Sequence, residues 1–416
     1  MKIAIIGAGV SGLTAAQLLQ SGRYGQNEVE VFEQEATPGG LVRCERIGGS
    51  LFHLCGGHIF NTRKSHVWDF FWSQFREEEF TKADRNSTVQ MPDADCIPYP
   101  IENHVYMLGE ALQHGVLHDL MEMCKAEGSE APRNFSEFLQ KRFGPTLYEL
   151  YFRPYNEKVW RRDLSEVPLD WLEGKLPMPT VEEILFNNFN HVAEKQFVHS
   201  TFWYEKQGGS QFLANRLAEG LNIRYNARIG TLQRDGEGWL LDGRHYDAVV
   251  YTGNVKALPA LVGIDLSAYA ARLAALESHG TTSVFCHIDR NPYSWIYLPD
   301  RRFEAHRIIC TGNFSPTNNA ASEQRLTATV EFTDEVSREH ILEQLSRMPF
   351  HPEYIAHHYS QYTYPIQSAD TRQMISSLKS TLASRHFYLT GRFADWEYYN
   401  MDAAMDAAMR MVEMMK

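Results

Sequence analysis

The strongest constraint lies at the N-terminus, where the short apolar run of residues 3–6 is followed at once by Gly7-Ala8-Gly9-Val10-Ser11-Gly12. An apolar run this short, closed by glycines, suits a strand buried in a parallel sheet. Residues 14–19 then read as a helix and residues 29–33 as a second strand, so the first 33 residues predict one βαβ unit. GxGxxG alone is a weak signal. Between a strand and a helix, with an acidic residue about 20 positions on at the end of the next strand, it is the dinucleotide-binding fingerprint. Gly7 permits the tight turn, Gly9 lets the backbone approach a pyrophosphate, and Gly12 lets helix and strand pack closely. The helix N-terminus, with Ser11 in its first turn, offers phosphate its unpaired N–H donors and the positive end of the dipole. Glu33 is placed to accept hydrogen bonds from the adenosine ribose. A glycine-rich turn with no ligand is the bland alternative, and the strand–turn–helix–strand context disfavours it.

At 416 residues the chain exceeds one simple core, which predicts two or three domains. Residues 67–75 read as an aromatic-rich helix, and residues 105–150 as a helical block interrupted near 127–133, with Ser136 as a helix start. Strands follow at 229–232, 239–241 and 248–252, with a turn at Asp235-Gly236-Glu237-Gly238. Alternating β-branched and aromatic residues over 281–332 predict an antiparallel sheet. Residues 386–390 read as a last short strand and 401–415 as a helix. The expected architecture is α/β: a discontinuous Rossmann-like domain (1–80, 205–255, 380–416) carrying an inserted helical domain (105–200) and an antiparallel sheet domain (81–104, 256–379).

The net charge of −12 argues against nucleic acid as the main partner, because phosphate-backbone binding needs a basic face. Cys44, Cys55, Cys96, Cys124, Cys286 and Cys310 form no CxxC pair and fit a reduced compartment rather than a disulfide framework. No stretch reaches the roughly 20 apolar residues of a membrane span, and the first apolar run breaks at Gly7, unlike a signal peptide. A cytoplasmic protein without a metal site is expected. The oligomeric state is not legible.

Beyond Glu33 the chain runs Gln34-Glu35-Ala36-Thr37-Pro38-Gly39-Gly40-Leu41. A glycine pair just after the acidic strand resembles the flavin-containing amine-oxidase superfamily. Near the other end, Gly391-Arg392-Phe393 and then Asn400-Met401-Asp402 opening a helix resemble the closing motif of the same superfamily. This resemblance implies non-covalent FAD, with Gly39, Gly40, Leu41, Gly391, Arg392, Asn400, Met401 and Asp402 joining the N-terminal motif around it. The stripe Met401/Met405/Met409 is read as core packing.

Segments between these ends resemble one branch of that superfamily, the UDP-galactopyranose mutases, closer to their eukaryotic type. Gly56-Gly57-His58-Ile59-Phe60 with Val67-Trp68 resembles the histidine loop, and Pro98-Tyr99-Pro100-Ile101 the strand leaving it. Arg153-Pro154-Tyr155-Asn156-Glu157-Lys158-Val159-Trp160 resembles a eukaryotic-type motif. Trp295-Ile296-Tyr297-Leu298-Pro299, Arg307 and Asn313-Phe314-Ser315-Pro316 resemble the substrate-facing sheet, and Tyr364-Pro365 and Trp396-Glu397-Tyr398 two later tyrosine positions. The resemblance implies interconversion of pyranose and furanose forms of a UDP-galactose-like nucleotide sugar. The flavin must be reduced, works through a sugar adduct at N5, and has NAD(P)H as a candidate transient reductant. His58, with Gly57 in its loop, would lie against the flavin and tune it. Arg307 and Tyr297, with Tyr155, Asn156, Lys175, Tyr364 and Tyr398, would hold the substrate and its diphosphate. Each has a bland alternative: packing tyrosines, a surface ion pair for Arg307, a satisfied loop histidine for His58.

Three departures bear on the substrate. Lys175 stands after Trp171-Leu172-Glu173-Gly174 where the family has arginine, Glu397 reverses a charge in the Trp-Arg-Tyr segment, and the arginine expected before Pro98 is absent near Gln90 and Met91. Lysine keeps a charge but loses the planar fork. Two other classes stay open: an amine-oxidase-type oxidoreductase acting by hydride transfer, and a non-catalytic FAD-binding relative.

Overall fold

The run Lys2–Ile6 forms the middle of a five-stranded parallel sheet, in the order Phe387–Leu389, Ala248–Tyr251, Lys2–Ile6, Glu28–Phe32, Asn222–Arg224. This computed structural model describes residues 1–92, 96–125, 130–169, 172, 179–192 and 201–415. Successive side chains of a strand point to opposite faces, and both faces here are covered, which is why the run is apolar throughout. Ile3 and Ile5 pack with Leu13, Leu213 and Met405, from the helices Val10–Gln20, Ser210–Ala218 and Met401–Met414. Ala4 points the other way, into a core with Trp239, Tyr246, Met374 and Leu378. That second face is covered by the helix Thr371–Ala383 and a three-stranded antiparallel sheet, Gln233–Asp235, Gly238–Leu241 and Arg244–Tyr246. The strand order reverses beside Lys2–Ile6, so a crevice opens at the carboxyl ends of Lys2–Ile6 and Ala248–Tyr251, where ligands bind in such sheets.

Two local expectations shift. The strand expected at 229–232 forms at Gln233–Asp235, because Asp235 pairs directly with Gly238 and the turn needs only two residues. The helix expected to start at Ser136 starts at Phe135, because the Asn134 side chain caps it by accepting from Glu137 N–H at 2.9 Å.

The second sheet has seven strands, in the order Glu353–Ile366, Glu277–Ile288, Leu326–Thr333, Arg307–Ile309, Trp295–Tyr297, Ser87–Gln90, Cys96–Pro98. It is antiparallel except where Trp295–Tyr297 runs parallel to Ser87–Gln90. It reaches beyond the expected 281–332 to include Glu353–Ile366, a half-exposed edge strand rich in His, Ser, Gln and Tyr that lacks the apolar alternation of a buried strand. The helices Glu110–Lys125, Phe135–Leu147, Arg153–Trp160 and Val181–Asn190 pack against this sheet, burying Phe143, Leu147 and Ile184 with Val89, Ile97 and Ile309. A π-helical turn at Tyr148–Phe152 leads into Arg153–Trp160. Among the described residues no helix is long and apolar enough to cross a membrane.

A Cβ at Gly12 would lie 2.0 Å from Gly7 O, so helix and strand approach closer than any side chain allows. Gly12→Ala is expected to cost at least about 1–3 kcal/mol, read as a lower melting temperature. Gly230→Ala, whose Cβ meets nothing within 4 Å, serves as the silent control. Glu205 ends the strand Thr201–Glu205 with 1% exposure and no hydrogen bond to either carboxyl oxygen, and burial raises its pKa to about 8. A raised carboxyl contributes stability that is complete below the unfolded value of 4.5 and is lost as pH climbs toward about 8. Glu205→Gln should therefore flatten the fall in stability between pH 5 and 8, and a profile unchanged in urea titrations at several pH values would contradict this.

Candidate active site

A cavity of about 900 Å³ lies in the crevice at the carboxyl end of the parallel sheet. Two helices point their N-termini into it. Val10–Gln20 and Met401–Met414 both begin without a side-chain cap, and Gly9, Val10, Ser11, Asn400 and Met401 line the wall. Their first N–H groups are therefore unspent, and both positive dipole ends favour an anion between them. The Gly39-Gly40 turn closes on the first loop: Gly39 N–H donates to Ala8 O at 2.8 Å, and a Cβ on Gly40 would stand 3.3 Å from Gly9 Cα. Gly391 packs over Ser11, and Gly7, Glu33, Leu41 and Arg392 complete the expected lining. Glu33 accepts from Ala8 N–H at 2.7 Å and from Glu35 N–H at 2.9 Å, so it fixes the phosphate loop as well as facing the cavity.

Three expected cofactor residues lie off the lining. Gly12 acts through helix–strand packing. Gly57 sits where a Cβ would be 2.6 Å from Ile309 Cγ2, which lets the histidine loop lie flat on the second sheet. Asp402 is in the first turn of the final helix, outside the wall. Lining residues with no sequence signal include Ala227, Arg228, Thr252, Gly253, Asn254 and Lys256, which follow the third and fourth parallel strands and join the site only through topology.

His58 reaches the cavity wall with a buried Nε2 that has no hydrogen-bond partner. Burial, then the nearby Arg392 charge, lowers its pKa to about 4. His53 lies behind it at 6.1 Å between ring centroids and is lowered to about 3, chiefly by burial. His53 is held by Tyr204 OH at 2.8 Å and Ser210 Oγ at 3.2 Å, and its Nδ1 stands 3.4 Å from His58 N–H. This support for the histidine loop comes from residues more than 150 positions away and had no signal in the sequence.

Beyond His58, the expected substrate residues Tyr155, Tyr297, Arg307, Tyr364 and Tyr398 form one continuous cluster. Arg392 lies over the Tyr398 ring at 4.8 Å, and Tyr398 stacks on Tyr364 at 5.4 Å and 10°. Tyr364 OH accepts from an Arg307 NH2 group at 3.3 Å. Tyr155 packs edge-on against Tyr297 at 5.5 Å, within electrostatic range of Arg307. Arg307 is not a surface ion pair: its Nε donates to the buried Glu331 carboxylate. Burial works against that pair, yet Arg307 and His306 pull Glu331 down to about 2, and Glu331 holds Arg307 well above its ordinary value. Burial keeps the Tyr364 phenol well above the usual range, so it is a neutral donor. The Arg392 guanidinium is committed to the carbonyls of Thr363 and Tyr399. The Asn156 amide donates to Phe152 O at 2.7 Å, one helical turn back.

The departures resolve in part. No arginine directly precedes Pro98, but the earlier Arg85 lies over the Tyr99 and Trp295 rings at 5.5 and 5.3 Å and donates to Tyr297 OH at 2.8 Å. Glu397 is held by Arg372 at 2.6 Å in a separate surface groove. Lys175, with Trp171, Glu173 and Gly174, lies outside the described residues. Trp396 is fully buried, with its indole N–H on Ile366 O, and Arg162 pairs with Glu277 at 2.6 Å.

A family model described as an NAD(P)-binding Rossmann-like domain matches residues 5–74. A solved structure of a reduced UDP-galactopyranose mutase superposes with a TM-score of 0.87 at 22% identity, covering 99% of this chain and 93% of that one. The chain has the UDP-galactopyranose mutase fold. A putative protoporphyrinogen oxidase from Exiguobacterium sp. 255-15 shares the fold less closely, with a TM-score of 0.76 at 15% identity over 99% of this chain and 98% of that one. In sequence, a dTDP-fucopyranose mutase of Escherichia coli is 27% identical over 182 residues, 42% of this chain and 46% of that protein. The match thus spans about half the length of that curated relative. The resemblance drawn from the motifs holds in the fold, and the parallel sheet carries the dinucleotide-type cavity that the fingerprint predicted.

His53 and His58 are neutral because they are buried, so the stability they contribute is complete above the unfolded value of 6.5 and is lost as pH falls toward about 4 and 3. In histidine NMR both rings are expected to stay neutral down to about pH 5. A ring at either position titrating near its ordinary value would contradict the burial.

Proposed function

We propose that the protein is a flavin-dependent nucleotide-sugar mutase that interconverts pyranose and furanose forms of a UDP- or dTDP-linked hexose. One observation carries this: the cluster Tyr297, Tyr155, Arg307, Tyr364 and Tyr398 meets the dinucleotide cavity at His58 and Arg392. An oxidase acting on an apolar amine has no use for an arginine and four phenols beside its cofactor. The fold relatives agree, since one is a UDP-galactopyranose mutase and the sequence relative a dTDP-fucopyranose mutase.

The residues fit FAD. Its diphosphate suits the two uncapped helix N-termini and its adenosine ribose the Glu33 side, while the unpartnered His58 Nε2 awaits a polar group in the cavity. FAD, when bound and reduced, supplies the nucleophile for the anomeric carbon. NAD(P)H, binding transiently, is the proposed reductant. A neutral His58 offers the cofactor a hydrogen bond without a charge that changes near pH 7.

The chain's remaining task is to hold a diphosphate that leaves and returns. Tyr364 OH accepts from Arg307 and Tyr297 OH accepts from Arg85, so each phenol proton is directed away from its arginine. Each phenol thereby becomes a donor to a phosphate oxygen, in a buried setting where such bonds are strong. Glu331 aims the Arg307 fork and keeps it charged. Asn156 and Lys175 are assigned to the same substrate.

Dithionite-reduced enzyme should convert UDP-galactofuranose, or a member of a panel of UDP- and dTDP-sugars, into its ring isomer with no net use of reductant. Arg307→Ala should weaken nucleoside diphosphate binding by about 1.5–3 kcal/mol. Stoichiometric consumption of oxygen or another acceptor would instead assign a hydride-transferring oxidoreductase, and unchanged diphosphate affinity in the variant would remove Arg307 from the site.

A further inference from the structure

Lys158 lies in the helix Arg153–Trp160, two and three residues beyond Asn156 and Tyr155. Its Nζ does not meet a carboxylate. It donates to three backbone carbonyls: Leu298 O at 2.6 Å, Asp300 O at 2.6 Å and Ala305 O at 3.3 Å. An ammonium has three N–H donors, and three acceptors match it one for one. All three belong to the loop between the strands Trp295–Tyr297 and Arg307–Ile309. Leu298 directly follows Tyr297, and Ala305 stands two residues before Arg307, so one side chain grips both ends of the loop joining these two residues.

We propose that Lys158 is a positioning residue of the nucleotide-sugar site, a clasp that sets the helix bearing Tyr155 and Asn156 against the hairpin bearing Tyr297 and Arg307.

This rests on the substrate assignment made above. Energetics argue that the contact serves more than stability. A largely buried ammonium without a carboxylate partner loses hydration that carbonyl dipoles repay only in part, and burial lowers Lys158 to about 7. The Asp300 carboxylate, whose charge acts on Lys158, is committed to Arg302 at 2.7 Å. A contact kept only to join helix and hairpin is already available in Arg301–Glu157 at 3.1 Å, an exposed pair of small worth. The carbonyl clasp adds geometry: it fixes the Tyr155–Tyr297 edge contact and the offset of Arg307 from both rings.

The test uses full-length protein with FAD bound, comparing wild type with Lys158→Met, which keeps the stem and removes the donors, and with Arg301→Ala, which cuts only the exposed tie. Flavin content, melting temperature, affinity for UDP and dTDP by calorimetry, and amide exchange over residues 298–306 are measured. Lys158→Met is expected to retain flavin, to exchange faster over 298–306, and to bind the preferred diphosphate about tenfold or more weakly, with KM rising more than kcat falls. Arg301→Ala should bind within about twofold of wild type. Unchanged affinity and exchange in Lys158→Met would overturn the clasp. Should that variant fail to fold, Lys158→Gln is measured by the same two readouts, and unchanged affinity and exchange there would overturn the clasp equally. Failure of the wild type to bind either diphosphate would overturn the substrate assignment instead, which separates the two claims.

Discussion

The site depends on how Ala8 is held. Its N–H donates to the Glu33 carboxylate and its carbonyl accepts from Gly39 N–H, so the first glycine turn is pinned by the ends of two other segments. A buried carboxylate or amide left without a partner costs roughly 1–3 kcal/mol, so these bonds set the loop in one conformation. The loop in turn aims the helix Val10–Gln20 at the cavity. Gly391 packed over Ser11 brings the final helix to the same place from the far end of the chain. Two helix N-termini separated by nearly the whole chain thus face one cavity.

A proposed doubly anionic substrate looks at odds with a chain of net charge −12 if net charge is taken as the guide. The structure removes the conflict. The cation of Arg307 is balanced by Glu331 and that of Arg392 is spent on carbonyls. Under the proposed assignment, recognition falls to oriented donors: phenols that accept from arginines behind them, and helix N–H groups. Such donors need no excess charge, and in a buried site they discriminate by position. The reversed charge at Glu397 is itself paired, with Arg372 at 2.6 Å.

Much of the cofactor side was legible in the sequence because it is local. Gly7 to Gly12 and Glu33 lie within one βαβ unit and Gly39-Gly40 directly after it, where spacing translates directly into geometry. The closing motif was legible as a second glycine turn before a helix. What escaped was set by tertiary contact. Arg85 precedes its strand with no distinguishing pattern and meets Tyr297 only because Ser87–Gln90 pairs in parallel with Trp295–Tyr297. His53 and Ser210 support His58 from separate elements. The half-polar edge strand Glu353–Ile366 lacked the alternation that marks buried strands. Arg307 was named as a candidate from the sequence, but its Glu331 partner, 24 residues on in a run reading simply as strand, was not. The placement of Lys175 lies outside the described residues.

A mutase of this kind requires that the bond between sugar and diphosphate break and re-form reversibly in the site. Positional isotope exchange tests that requirement most directly. A UDP- or dTDP-sugar labelled with oxygen-18 in the glycosidic bridge is incubated with the reduced protein and recovered. The label is expected to move from the bridging to the non-bridging positions of the β-phosphate, only with reduced enzyme and only with sugars that occupy the site. A label that stays in the bridge while the same sugar binds would contradict the mutase assignment, because a substrate held without cleavage of that bond has no route to a ring isomer.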